Sequence, residues 1–376
     1  LISVLDQRFM ARAIQLARLG WYSTHPNPRV GCLIVKDGEI VAEGYHRRTG
    51  EPHAERNALA MAGTAAVGAT AYVTLEPCCH QGRTPPCTDA LIESGVKRVV
   101  VGMPDPNPMV AGRGLALLRE AGIQITEDVM RPQVEALNPG FIKRMTQGRP
   151  YIRCKMAMSL DGRTAMADGE SQWITSSAAR ADVQRLRAQS AAILTGVGTL
   201  LADDPSMNVR LSAKELGLEQ GIAVPHPVRV VLDPQLVTPV DAKMLGLPGH
   251  TLIICSDEQP LHGAALEAAG AQIVRLPGDK QRLDLHQVVS YLGEQEINEV
   301  LLEAGATLAG AMLEQGLVDE LTIYQAPHLM GDKGRGLFLL PGITRMADRI
   351  ALRLTDLRQV GQDIRITAKL SNHPQA

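Results

Sequence analysis

Aromatic side chains make up only 3% of this 376-residue chain, and its formal charge is nearly balanced at −2. A polynucleotide-binding surface needs a basic stripe to displace counterions and rings on which bases stack. Neither stands out here, so nucleic acid is not an expected partner. No apolar run is long enough to span a bilayer, and Asp6, Arg8 and Arg12 interrupt the N-terminal apolar pieces that a signal peptide would keep continuous. A cytoplasmic chain with no membrane partner is expected. Six cysteines over this length are too few for a disulfide scaffold. Internal repeats and low-complexity tracts are absent. So is a complete dinucleotide fingerprint: Gly196-Val197-Gly198 is followed by Leu201 where the third glycine belongs, and no Lys-Ser/Thr pair follows Gly310.

What is present describes a globular α/β protein, with 45% hydrophobic and 21% charged residues. Its length exceeds what one core usually supports, so two domains are expected, 1–147 and 148–376. The first part alternates elements. A helix from about Asp6 to Leu19 leads to a strand over Val30 to Val35, and Asp37-Gly38 reads as a hairpin turn into Ile40 to Ala42. Further strands are expected at Ala71 to Leu75 and Arg98 to Val101, with helices over 53–62 and near Leu115 to Glu120. This is the pattern of an α/β sandwich. After Gly148-Arg149-Pro150 the pattern restarts. Strands recur at Tyr151 to Met158, Ala192 to Leu194, Val228 to Leu232, Thr251 to Cys255, Gln272 to Leu276, Glu299 to Leu302 and Leu321 to Tyr324, while Leu211 to Pro227 reads as an irregular insertion.

The chemistry concentrates in His53-Ala54-Glu55, Pro77-Cys78 and Cys87. One imidazole and two thiolates can hold a zinc ion with a fourth position left for water, and a carboxylate two residues past the His is placed to move that water's protons. Nucleobase deaminases share this set, with a Glu that shuttles protons without ligating the metal. The usual gap between the thiols is two residues, whereas eight separate Cys78 from Cys87, so a loop must fold back before the second thiolate arrives. A purely structural zinc, using Cys79 or His80 as fourth ligand, is the alternative. Cys32, Cys154 and Cys255 stand alone in apolar runs and read as packed thiols. His53 and Glu55, two apart, do not share a helix face, and they converge only if the first turn of the helix abuts the metal.

Two small-residue clusters follow strands in the second domain: Thr195-Gly196-Val197-Gly198-Thr199, and Glu303 through Gly310. Such turns let a phosphate approach backbone amides at a helix N-terminus, and they serve equally as packing or turn devices. Asp203-Asp204 is likewise open between a helix-terminal charge pair and a ligand contact.

With both halves in view, the chain resembles the bifunctional riboflavin-biosynthesis deaminase–reductase family. The matching residues are Thr24-His25-Pro26-Asn27-Pro28 with Val30-Gly31-Cys32, Gly50 through Glu55, and Thr74 through Cys87 with its Gly82-Arg83-Thr84-Pro85-Pro86 loop. Ser159-Leu160-Asp161-Gly162-Arg163, Ser171-Gln172-Trp173-Ile174-Thr175 and Glu303-Ala304-Gly305 extend the match to the second domain. The long inter-thiol loop is this family's own pattern. The resemblance implies a cytidine-deaminase-like α/β/α sandwich followed by a dihydrofolate-reductase-like α/β domain. It implies one zinc ion per chain, NADPH, and a small phosphorylated pyrimidine as substrate. That pyrimidine ribotide would first be deaminated hydrolytically, with Glu55 as proton shuttle and His53, Cys78 and Cys87 as ligands, and its ribosyl chain then reduced to ribityl. By resemblance, Asn27, His46, Arg83, Asp105 and Asn107 are substrate contacts of the deaminase. Ala157, Trp173, Thr199, Asp203 and the turn Gly305, Ala306, Thr307, Leu308, Ala309, Gly310 and Ala311 are similar to NADPH-contacting positions. Lys155, Ser171, Arg187, Met207, Arg210 and Glu303 resemble substrate positions of the reductase. Cys79 departs from the Ser frequent in this family. The resemblance further implies a homo-oligomer, a dimer or tetramer. A deaminase whose second domain is a regulatory nucleotide-binding module is the alternative reading.

Overall fold

The computed structural model describes residues 2–81, 85–257, 263–279 and 282–370. The chain divides into two units, Leu1–Gly148 together with Leu218–Ala223, and Arg149–Gly217 together with Val224–Ala376. The segment read as an irregular insertion thus contributes six residues to the first unit, and it also holds a short helix, Ala213–Leu216, closed by a Ser212/Glu215 capping box. Among the described residues, no helix is long and apolar enough to cross a membrane.

The first unit is built on a five-stranded sheet in the spatial order Glu39–Tyr45, Gly31–Lys36, Thr70–Leu75, Arg98–Met103, Gln124–Thr126. The first two strands form the expected hairpin, with Asp37 and Gly38 both at positive φ, as a tight turn between twisted strands demands. The last three strands run parallel. Helices cover both faces, and two glycines show why they lie so close. Gly31 pairs with Tyr45, and Gly44 is the next residue along, so the two glycines face opposite sides of the sheet. A Cβ on Gly31 would lie 2.0 Å from the Ala13 carbonyl oxygen in the helix Val4–Ala17. One on Gly44 would lie 2.4 Å from that of Ala54 in the helix Ala54–Ala62, on the other face.

The first helix is further pinned by a buried carboxylate. Asp6 accepts from both Nη atoms of Arg98, at 2.9 and 3.0 Å, and from the Tyr72 hydroxyl at 2.9 Å. It also closes a capping box with Ser3. Burial opposes its charge, but the hydrogen bonds from Arg98, Ser3 and Tyr72 outweigh burial and bring its pKa from 3.8 to about 2.

The second unit carries a nine-stranded sheet in the order Ala271–Leu276, Thr251–Ser256, Val228–Leu232, Ala192–Gly196, Glu299–Leu302, Tyr151–Ser159, Glu320–Ala326, Asp363–Leu370, Leu352–Val360. The first seven are parallel and the last two are joined through antiparallel pairings, giving the mixed α/β sheet expected of a reductase domain. Val228–Leu232 and Glu299–Leu302 fall where the apolar runs predict them. The C-terminal hairpin was not anticipated. Its outer strand is largely exposed on both faces, and a register shift between Leu354 and Asp356 breaks the alternation that would reveal it. Arg163–Ala165 and Arg335–Gly336 form a small separate sheet, also unanticipated.

Two outcomes follow. Gly44→Ala will lower the stability of the first unit by about 3 kcal/mol, because the obstructing atoms are backbone and cannot rotate away; an unshifted urea midpoint would contradict this packing. Asp6→Asn will cost about 2 kcal/mol at neutral pH. A carboxylate with a depressed pKa stabilises above its unfolded value and ceases to do so as pH falls through its folded value. The stability gap between wild type and variant will therefore shrink from pH 3.8 toward about 2, as urea titrations across that window will show.

Candidate active site

His53, Cys78 and Cys87 come from three separate elements. His53 is the N-cap of the helix Ala54–Ala62 with extended backbone, so the helix begins one residue later than Pro52-His53 suggests. Cys78 follows the strand Thr70–Leu75, and Cys87 opens the helix Cys87–Glu93. Their ligand atoms all lie within 4.8 Å of one another. The Nδ1 atom of His53 is 3.5 Å from the Cys78 sulfur and 3.4 Å from that of Cys87. The inter-thiol loop returns because the Cys87 and Thr88 amides both donate to the Cys78 carbonyl, at 3.0 and 3.2 Å. Arg56, which carried no expectation, donates to the carbonyls of Pro85 and Pro86 at 3.2 and 2.8 Å and so holds the end of that loop.

Electrostatics suit a metal. Hydrogen bonding from the Cys87 thiol, then from His53, holds the Cys78 thiol far below its ordinary pKa, near 4. Glu55 sits in the first helical turn, 3% exposed, beside the trio, as the two-residue spacing to His53 requires. Burial pushes its carboxyl up to about 7, against the opposing charge of His53.

The neighbouring polar groups are fixed in turn. The His46 ring stands edge-on to His53 with centroids 5.2 Å apart. Its Nε2 accepts from the Asn27 side chain at 3.1 Å while Nδ1 faces the Pro52 carbonyl at 3.3 Å, and burial brings its pKa down to about 4. His46 therefore stays neutral. Asp105 and Asn107 follow the strand Arg98–Met103. Burial, helped by the negative charges of Glu76 and Cys78, raises Asp105 to about 7, although the Asn107 amide donates to it. Arg83, expected on the inter-thiol loop, lies outside the described residues.

In the second unit the structure gathers Lys155, Arg187, Arg210 and Glu303. Arg187 is buried and forks onto Glu303 at 2.6 and 2.8 Å, with a third donor on the Asn208 carbonyl at 3.1 Å. Burial opposes the charge on Glu303, but Arg187, Lys155 and Arg210 outweigh it and hold its pKa low. Burial, reinforced by Arg187, lowers Lys155. Three cationic side chains around one carboxylate form a cluster with an excess of basic groups. Met207 is buried close by in the chain at positive φ.

The two glycine clusters lie side by side. Thr199 Oγ1 approaches within 4.0 Å of where a Gly305 Cβ would stand, and a Cβ on Gly196 would touch Leu308 at 3.4 Å. Gly305 is the N-cap of the helix Ala306–Glu314 and makes no side-chain cap, so the first-turn amides receive no partner from the cap residue. Ala309 and Gly310 instead face the core, where a Cβ on Gly310 would lie 2.0 Å from the Leu339 carbonyl oxygen. Ala311 is half-buried on the same helix, and Ala157 on its strand. Gln172, between Ser171 and Trp173, donates to Asp203 at 3.1 Å, and the Arg180 guanidinium stacks 4.5 Å from the exposed Trp173 ring.

Comparison with known proteins supports both halves. Residues 3–103 match the cytidine and deoxycytidylate deaminase zinc-binding region, and residues 150–366 match the RibD C-terminal domain. The chain is 53% identical over 365 residues to the riboflavin biosynthesis protein RibD of Escherichia coli strain K12, covering 96% of this chain and 98% of that protein. Among solved structures, Acinetobacter baumannii RibD in its form 1 is similar with a TM-score of 0.89 at 45% identity, covering 98% of this chain and 99% of that one. The diaminohydroxyphosphoribosylaminopyrimidine deaminase/5-amino-6-(5-phosphoribosylamino)uracil reductase of Thermotoga maritima follows with a TM-score of 0.84 at 32% identity, with coverage of 98% and 99%. With a deaminase region and a reductase domain both matched, and a relative 53% identical across both, the chain belongs to the RibD family of bifunctional riboflavin-biosynthesis deaminase–reductases.

Proposed function

We propose that residues 1–147 deaminate 2,5-diamino-6-ribosylamino-4(3H)-pyrimidinone 5′-phosphate and that residues 148–376 reduce the resulting 5-amino-6-(5-phosphoribosylamino)uracil with NADPH. The observation that carries the first half is the joining of one imidazole nitrogen and two sulfurs, within 4.8 Å of one another, to a buried carboxylate in the helical turn that follows His53. A zinc ion held by His53, Cys78 and Cys87 would supply an activated water at neutral pH. Glu55 is placed to take the protons of the attacking water and to pass one to the ring nitrogen and one to the exocyclic amine, so that the carbon–nitrogen bond would break with ammonia leaving and a ring carbonyl remaining. A carboxyl with a pKa of about 7 both accepts and donates near neutrality. Asn27, held by neutral His46, and the turn carrying Asp105 and Asn107 orient the ring.

In the second unit, bound NADPH would supply a hydride to C1 of the ribosyl chain, whose bond to the ring oxygen breaks while that oxygen takes up a proton, giving the open ribityl chain. The first-turn amides beyond Gly305, with Thr199, Asp203, Trp173 and Ala157, are suited to hold the cofactor. Lys155, Ser171, Met207, Arg210 and Glu303 face the substrate. Three of the five donors of Arg187 already serve Glu303 and Asn208, so Arg187 orients Glu303 while Arg210 and Lys155 are the cations left for the phosphate.

An assay that reads ammonia release and NADPH oxidation separately tests both halves. Glu55→Gln will retain zinc and reductase turnover while deamination falls by about a thousandfold; deamination at the wild-type rate would remove Glu55 from the mechanism. Arg210→Ala will raise the reductase KM for the phosphorylated substrate by about tenfold, the loss of one charge-assisted hydrogen bond, and leave that for the dephosphorylated analogue unchanged. An equal rise for both compounds would place the phosphate elsewhere.

A further inference from the structure

Thr74-Leu75-Glu76-Pro77-Cys78 carries an acidic side chain to which the site as described gives no role. Glu76 is 3% exposed, and its carboxylate accepts three backbone hydrogen bonds. Asp105 and Gly112 donate to Oε2, both at 3.0 Å, and Leu115 donates to Oε1 at 3.2 Å. A buried carboxylate is unfavourable unless its oxygens are hydrogen-bonded, and these amides meet that need. Gly112 is the N-cap of the helix Arg113–Glu120 and brings no capping side chain of its own. Glu76 therefore caps this helix from a neighbouring strand end, with its charge at the positive end of the helix dipole. Gly114 permits the approach, since a Cβ there would lie 2.2 Å from the Pro77 carbonyl oxygen and 3.3 Å from Glu76 Oε1.

The third bond reaches the substrate loop. Once the Asp105 amide is held by Glu76, Asp105 Oδ1 accepts from the Asn107 amide at 2.8 Å and Asn107 Oδ1 from the Met109 amide at 3.0 Å. The run of turns that aims Asp105 and Asn107 thus begins at Glu76. Two residues further along its own backbone stands Cys78, and the Glu76 amide itself donates to the Met103 carbonyl at 3.0 Å.

We propose that Glu76 is a positioning residue of the deaminase, setting the Asp105–Asn107 loop in register with the Cys78 strand end without touching substrate. The proposal rests on the deaminase reading above. Glu76→Gln keeps the shape but turns one acceptor into a donor facing N–H groups, and Glu76→Asp keeps the charge but withdraws it. In the full-length zinc-loaded chain, both variants will raise the deaminase KM for the diaminopyrimidine ribotide by about tenfold or more, with a smaller change in kcat. Bound zinc and NADPH-dependent reduction will be unchanged, and amide-exchange protection will drop at Asp105, Gly112 and Leu115. A KM that does not move despite that lost protection overturns the proposal. So does protection lost throughout the first unit, which would make Glu76 a general support of the fold. A wild-type chain that fails to deaminate sinks the underlying reading instead.

Discussion

Backbone groups that leave a parallel sheet must find partners outside it, and this requirement places several of the candidate functional groups in the chain. In the first unit, Thr70–Leu75 and Arg98–Met103 run parallel and end on the same edge, one delivering Glu76 and Cys78 and the other Asp105 and Asn107. In the second unit, Ala192–Gly196 and Glu299–Leu302 are likewise parallel neighbours of a single sheet and end in the two glycine turns, with Glu303 directly after its strand. Helix N-termini gather at such edges because each parallel strand is followed by a returning helix, so unpaired amides and the positive ends of dipoles collect there. Anionic groups are the natural occupants, whether Glu76 from the protein itself or the phosphates of a ligand.

Burial has opposite consequences for three carboxylates according to the donors around them. Asp6 is nearly inaccessible, yet four hydrogen-bonding groups surround its charge and its pKa falls. Glu55 is equally buried beside two cysteine sulfurs, with little to offset the burial, and its pKa rises to about 7. Asp105 rises as well, although one amide donates to it. A carboxylate that stays charged at all working pH values joins elements, whereas one that titrates near neutrality is able both to accept and to donate a proton.

The grouping of His53, Cys78 and Cys87 with Glu55 and the outline of two α/β domains were legible in the sequence because they depend on residue type and on short spacings. Imidazole and thiolate have few other uses in such proximity, and buried strands such as Val228–Leu232 declare themselves as apolar runs. The closeness of the glycine turns was not legible, since it depends on which strands become neighbours. Arg56 and Glu76 were passed over for a related reason. Each acts through backbone atoms of a segment distant in sequence, Pro85–Pro86 for one and Asp105–Leu115 for the other, and backbone partners leave no mark on composition. The C-terminal hairpin escaped notice because its outer strand buries neither face.

By itself, the sequence determined the donor chemistry: the imidazole of His53, the thiols of Cys78 and Cys87 and the carboxylate of Glu55 near the N-terminal end, and Lys155, Arg187 and Arg210 with Glu303 further along. It also determined where the apolar runs and turn residues break the chain into alternating elements, because side-chain hydrophobicity and backbone preference act locally. Only the tertiary structure decided which of those groups share a site. Strand order set Cys78 beside Asp105, and close packing across Gly44 seated the helix whose cap is His53. Burial then settled which carboxylate stays charged and which titrates near neutrality, because a pKa depends on surroundings assembled from the whole domain.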